Sequence, residues 1–277
     1  MTPRIPGYCL LQRLGGGPIT TVYEARDDET GDPCALKLLR DDLDDRSTAI
    51  KLIQREARAG LALRHPHLVQ ITAASVLHEP YFLVMDWCPG ETLRARLRRE
   101  FRIPIAEAIW ITRQTAEALA AMHTAGFLHG DVKPDNIRVV AGGGVVLTDL
   151  GFAHRLGENA AFLRDGFLLG TPNYLAPEQC DEWPVEEYAT DLFSLGVTLF
   201  EMLTGTLPYP VGSLRDTIRR LRREEPMDIR DIRDDLPPAL ATLVGQLLER
   251  EPEDRPSARA VVQRLVRLEI SSLRRAA

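Results

Sequence analysis

His129-Gly130-Asp131-Val132-Lys133-Pro134-Asp135-Asn136, followed by Thr148-Asp149-Leu150-Gly151, groups a carboxylate, an ammonium and an amide in one short loop and adds a second carboxylate beyond a hairpin-sized insert. Moving a phosphoryl group from a metal-bound nucleotide needs this set: a base or orienting group, a cation for the moving phosphate, and oxygen ligands for magnesium. A single Asp in a polar loop is ordinarily a turn or cap residue. The weight comes from finding several such groups in register.

Lysine usage points the same way. Of the 34 Lys plus Arg residues only Lys37, Lys51 and Lys133 are lysine. A chain that otherwise uses arginine keeps lysine in the loop above and in Ala35-Leu36-Lys37, and a compact ammonium is not interchangeable with a planar guanidinium fork. Lys51 reads as a residue on a solvated helix face.

The chain is long enough, at 277 residues with 44% hydrophobic and 27% charged, to bury a large core as one domain of two lobes or two small ones. Its net charge of -6 argues against a general nucleic-acid or anionic-membrane surface. The Arg-rich stretches Arg94 to Arg99 and Arg219 to Arg223 are interleaved with Leu and flanked by Glu, and read as solvated helix faces. Cys9, Cys34, Cys88 and Cys180 are scattered, which suggests neither a zinc site nor a disulfide framework and fits a reducing cytoplasm. No apolar run is long enough for a membrane span, and MTPRIPGY lacks the apolar core of a signal peptide.

From Tyr8 to Arg40, apolar runs broken by turns at Leu14 to Gly17 and Asp27 to Pro33 predict three antiparallel strands. Arg46 to Arg64 has a helical pattern that stops before His65-Pro66. Two strands are expected near Leu68 to Val76 and Tyr81 to Met85. Pro104 opens a helix with the stripe Ile105, Ala108, Ile109, Thr112, Ala116, Leu119 and Met122, ended by Gly126. Further helices are expected over Tyr188 to Thr204, Pro237 to Arg250 and Ser257 to Leu273. A strand-rich N-terminal part joined to a helical C-terminal part follows, and nucleotide sites favour such junctions.

In their order and spacing these motifs resemble the catalytic domain of the eukaryotic-like (Hanks-type) bacterial serine/threonine protein kinases, over about Tyr8 to Leu268. The resemblance implies an α+β, two-lobed fold: one domain over residues 1–277, with an N-lobe to 85, a hinge at 86–90 and a C-lobe from 91. It implies ATP and Mg2+, and a protein substrate. Leu14, Gly15, Gly17 and Val22 would cover the phosphates, and Ala35 would line the nucleotide pocket with them. Lys37, oriented by Glu56, would hold the phosphates. Met85 would be the gatekeeper, Asp86 and Cys88 part of the hinge, Glu91 the residue that reaches the ribose, and Arg138 the floor under adenine. Asp131 would orient or deprotonate the acceptor hydroxyl, Lys133 would neutralise the moving phosphate, and Asn136 with Asp149 would hold magnesium. Thr171 with Lys133 is the pattern for serine/threonine acceptors. Ala176-Pro177-Glu178, Asp191 and Arg255 would be structural anchors, with Glu178 paired to Arg255.

Four positions depart from that pattern. Gly130 replaces the arginine that would meet an activation-segment phosphate, and between Asp149 and Glu178 the only hydroxyl residues are Thr171 and Tyr174. Phosphate and receptor are missing together, which predicts a kinase not switched in that way. Gly60, four residues after Glu56, stands where a large aliphatic is usual and predicts a hole beside the helix. Arg138 stands where leucine is usual, its guanidinium expected to reach solvent, a carboxylate or the base itself. With Thr20 in place of a third glycine, these keep a pseudokinase acting as a binding module as an alternative. The H-G-D variant leaves a small-molecule phosphotransferase as another.

Overall fold

The computed structural model describes residues 3–140, 142–159, 169–181 and 184–276, with side chains to 271. Its N-terminal strands are β1 (Tyr8–Gly16), β2 (Thr20–Asp27), β3 (Pro33–Leu39), β4 (Ile71–Ser75) and β5 (Phe82–Asp86), in the antiparallel order β1-β2-β3-β5-β4. Alternate residues of a strand face opposite ways, and the two faces here have separate tasks. Cys34, Leu36 and Leu38 close a small outer cluster with Phe82, Val84, Ile5 and Ala25. Ala35, Lys37 and Leu39 face inward, with Val22 paired to Lys37, Lys37 to Leu83, and Ala35 to Met85.

Helix α1 (Arg46–Ala62) is capped by Asp45, whose carboxylate accepts from Thr48 N at 3.0 Å, and buries Ala49, Ile53, Glu56, Ala57 and Gly60. The hole expected at Gly60 does not exist. A Cβ there would lie 2.2 Å from Ile71 Cδ1 and 2.5 Å from Cγ1, so the isoleucine of β4 already occupies the space. A small residue on the helix and a large one on the strand have divided one core volume.

The remaining helices are α2 (Leu93–Glu100), α3 (Ile105–Thr124), α4 (Tyr188–Thr204), α5 (Leu214–Arg223), α6 (Pro238–Leu247) and α7 (Ala258–Ala276). The expected stripe of α3 is buried apart from Ile105, which is half-buried, but so are Ile111, Gln114, Thr115 and Ala118, because α3 packs against both α4 and α7. Helix α4 is buried nearly throughout, and its charged residues Asp191 and Glu201 are enclosed with hydrogen-bond partners. Short strands β6 (Gly90–Thr92), β8 (Ile137–Val140) and β9 (Val145–Leu147) form one sheet, and β7 (Phe127–Leu128) pairs with β10 (His154–Arg155). The β8–β9 hairpin is the insert between the Asp131 to Asn136 loop and Asp149.

The strand expected from Leu68 begins only at Ile71. Leu68 instead bridges to Leu147, with Val69 N donating to Leu147 O and Leu147 N to His67 O, both at 2.9 Å. That stretch ties the strand-rich lobe to the helical one. The solvated face expected at Arg94 to Arg99 holds for Arg99 but not for Arg94, which is largely buried and bonds Asp135, Glu201 and the Tyr174 hydroxyl. Among the described residues no helix is long and apolar enough to cross a membrane.

Candidate active site

A cavity of about 760 Å³ opens between the five-stranded sheet and the helical lobe. Leu14, Gly15, Gly17, Val22, Ala35, Lys37, Met85, Asp86, Cys88, Asn136, Arg138 and Asp149 all line it, together with Glu56. At its roof the β1–β2 turn is closed by Gly17 N donating to Thr20 O at 2.9 Å. A Cβ at Gly15 or Gly17 would meet nothing within 4 Å, so the turn leaves open room under its main chain. Thr20, the residue in place of a third glycine, is a buried strand residue that also lines the cavity.

Lys37 is the centre of charge. Its Nζ donates to both oxygens of Glu56 at 2.8 Å and to Asp149 Oδ1 at 2.7 Å. Burial alone would depress its pKa, but the Glu56 and Asp149 carboxylates outweigh that and hold it above the ordinary lysine value. Burial would likewise raise Asp149, and the Lys37 ammonium reverses the direction and keeps it ionised. Asp149 sits in the left-handed region (φ 64°), which turns its carboxylate back into the cleft.

The loop that begins at His129 is hung from α4. Asp191, fully buried, accepts from His129 N and Gly130 N at 2.9 Å each, and His123 Nε2 lies 2.9 Å from it. Burial would raise its pKa, but the bonds from His123 and the main chain hold it below the usual carboxylate range. Gly130 has φ 77°, and a Cβ would meet Phe152 O at 3.0 Å, so the residue in the arginine's place is also conformationally required.

The loop's side chains converge beyond that point. Asp131 Oδ2 accepts from Lys133 Nζ at 2.6 Å and Asn136 Nδ2 at 2.9 Å, while Oδ1 accepts from Thr171 Oγ1 at 2.7 Å. Lys133 also reaches Thr171 Oγ1 at 2.5 Å. Asn136 Nδ2 bonds the Asp131 carbonyl as well, at 2.8 Å, which commits the donor half of its amide and leaves the oxygen half for a cation. Among the described residues no three His, Cys, Asp or Glu side chains form a metal cluster. Two side-chain oxygens from Asn136 and Asp149 suit Mg2+, which takes much of its shell from phosphate and water.

Residues 8–266 match the protein kinase domain model. The chain belongs to the protein kinase domain family. It is 33% identical over 272 residues to serine/threonine-protein kinase PkaA of Streptomyces coelicolor, covering 93% of this chain and 49% of that protein. It is 35% identical over 251 residues to serine/threonine-protein kinase PknD of Mycobacterium tuberculosis, covering 90% and 37%. A probable serine/threonine-protein kinase of Clostridium perfringens is 30% identical over 248 residues, covering 90% and 36%. This chain thus spans about a third to a half of the length of these relatives.

Within the kinase fold, Glu91 lies away from the expected place and Arg138 makes contacts other than those expected. Glu91 is held by Arg99 through bonds of 2.6 and 2.8 Å and is outside the cavity, whose edge there is formed by Thr92 and Asp135. Arg138 does line the cavity and is half-buried, but among the described residues its guanidinium is engaged by main-chain carbonyls and not by a carboxylate. Its Nε donates to Cys88 O at 3.0 Å and its terminal nitrogen to Gly90 O at 2.6 Å, so the guanidinium ties down the hinge. Sequence reasoning missed Thr92, Asp135 and Val69 as lining residues. The adjacency of Asp135 to Asn136 was the one available signal.

Proposed function

We propose that this kinase domain transfers the γ-phosphate of magnesium-bound ATP to serine or threonine hydroxyls of protein substrates in the cytoplasm. The observation that carries this reading is the simultaneous engagement of Lys37 by Glu56 and Asp149, opposite the Asp131, Lys133 and Thr171 cluster. Bound magnesium supplies charge neutralisation on the phosphates. Lys37 positions phosphate oxygens, Asn136 and Asp149 offer metal ligands, and Asp131 orients or accepts the proton of the incoming hydroxyl. Lys133 compensates charge on the moving group. The backbone of Gly15 to Gly17 covers the phosphates, a role supported by the open space around Gly15 and Gly17.

Two of the departures that favoured a pseudokinase lose their force, since Ile71 fills the space at Gly60 and Arg138 orders the hinge. The Glu178 to Arg255 ion pair, at 2.7 Å, favours a protein kinase over a small-molecule phosphotransferase. Incubation with Mg-ATP and a general protein acceptor, with phosphosites read by mass spectrometry and Asp149→Asn as the blank, tests the activity. Absence of new phosphoserine or phosphothreonine over the blank would reject it.

Phosphatase treatment is expected to leave the rate unchanged. Gly130 offers no guanidinium, Thr171 is committed to Asp131 and Lys133, and the Tyr174 hydroxyl donates to Glu201 at 2.6 Å. A large fall in rate traced to a site between Asp149 and Glu178 would overturn this.

Arg138→Leu is expected to weaken nucleotide binding by about 1–2 kcal/mol, because two charge-assisted bonds to partly exposed hinge carbonyls are lost. Arg138→Lys should not restore it, since one ammonium cannot reproduce the fork. Titration with Mg-ATP measures both, and tighter binding by the leucine variant would contradict the hinge role.

A further inference from the structure

Several buried polar residues that catalysis does not use meet where α1 faces the segment after Asp149. Arg55, adjacent to Glu56 on α1, donates to Asn159 Oδ1 at 2.7 Å. Asn159 Nδ2 donates to Glu186 Oε2 at 3.0 Å. His154 Nε2 lies 2.8 Å from the same Glu186 oxygen, as an ion-pair contact without an aligned hydrogen bond. Asn159 and His154 are buried at 2% and 1% exposure, too deep for ordinary surface ion pairs. The four residues come from α1, β10, the turn after it and the stretch ahead of α4.

We propose that Glu186 is a positioning residue of this kinase: its carboxylate, held against His154, fixes Asn159 and through it Arg55, keeping α1 where Glu56 meets Lys37 without any phosphate in the segment. The inference rests on the proposed activity for its kinetic consequence, though not for its structural one. Arg55 and Glu56 are neighbours on one rigid helix, so an anchor on the first limits rotation and withdrawal of the second. Arg58 adds a parallel tie, donating to Glu158 at 2.8 Å. The acidic group that would otherwise come from a modified hydroxyl is supplied here by the chain itself, at a residue beyond Glu178.

The charge state follows from geometry. His154 Nδ1 is 2.8 Å from Phe152 O and must donate to it. A neutral ring would then turn a lone pair on Nε2 toward the Glu186 oxygen, so the contact favours imidazolium. Burial would lower the His154 pKa, but Glu186 and the Phe152 carbonyl outweigh it and raise it, against opposition from Arg55. Glu186 and Arg55 are the charged groups that act on the ring, while Arg58 pairs with Glu158, which also accepts from Arg155 N. β7 contributes only Phe127 and Leu128. A pKa raised in the folded state means stabilisation that is complete below the ordinary histidine value and lost as pH rises through the raised one. Anchoring of α1 therefore weakens on the alkaline side.

The test compares wild type with Glu186→Gln, which keeps the shape and removes the charge, and with Glu186→Asp. Amide hydrogen exchange of α1 and turnover of casein with saturating Mg-ATP are followed from neutral to alkaline pH, with urea unfolding as the stability control. In Glu186→Gln the α1 amides should exchange about tenfold faster, the factor expected for one lost charged hydrogen bond, with a similar loss in turnover. The alkaline decline of wild type should be absent, and Glu186→Asp should recover part of both. Wild-type α1 exchange and an unchanged pH profile in Glu186→Gln would overturn the proposal. Should Glu186→Gln fail to fold, Arg55→Gln breaks the same connection from the helix side, and unaltered α1 exchange there would overturn it equally. A wild-type protein with a protected α1 that transfers no phosphate would reject the activity and leave the anchor standing.

Discussion

Asp149→Asn and Lys37→Met are each expected to lower phosphoryl transfer by several powers of ten while the fold persists. Positioning and charge neutralisation supply most of the catalysis in this reaction class, so removing the proposed metal ligand or the proposed phosphate-binding ammonium should remove most of the rate. The two variants should differ in a second respect. Asp149 keeps 43% of its side chain exposed, and its amide replacement can still accept from Lys37 and from water. Lys37→Met leaves the buried Glu56 without its counter-ion, and that carboxyl must take up a proton or turn away. Single-turnover assays with Mg-ATP measure the first effect, and α1 hydrogen exchange the second. Phosphorylation at the wild-type rate in either variant would reject the site as assigned.

Arg255→Ala is expected to cost about 3–5 kcal/mol of stability, the usual penalty for removing one partner of a buried ion pair. The guanidinium is fully enclosed and meets both Glu178 oxygens at 2.7 and 2.8 Å. It also bonds the carbonyls of Glu249, Ala189 and Arg250, and lies 5.0 Å from the Phe193 ring centroid. Without it, among the described residues the Glu178 carboxylate keeps only the Thr190 hydroxyl, at 3.0 Å. Replacing both partners with leucine should cost much less, since an uncompensated buried charge is the expensive product and not the loss of the pair itself. Urea unfolding of the single and double variants decides this. A single-variant loss below about 1 kcal/mol would mean that water reaches the site and solvates the carboxylate.

Much of the site was legible because it is local in sequence. Asp131, Lys133 and Asn136 lie within one loop, and their hydrogen bonds span two to five residues. Period-two alternation likewise places Ala35 and Lys37 on one face of β3 without knowledge of what that face meets. The resemblance added the longer-range pairs Lys37 with Glu56 and Glu178 with Arg255, which spacing alone does not specify. The expectations that needed revision, at Gly60, Arg138, Glu91 and Arg94, depend on which distant group comes within reach of one side chain.

The amino-acid sequence by itself determined the order of strands and helices, the clustering of Asp131, Lys133 and Asn136 in one loop, the inward face of β3 that carries Lys37 and the absence of an arginine before Asp131, because each is carried by neighbouring residues or by a simple period. Tertiary structure alone decided that Ile71 fills the space at Gly60, that Arg138 binds the carbonyls of Cys88 and Gly90, and that Glu186 meets His154 and Asn159. Core volume is shared between elements far apart in the chain, and a buried charge takes whichever partner folding brings within about 3 Å of it.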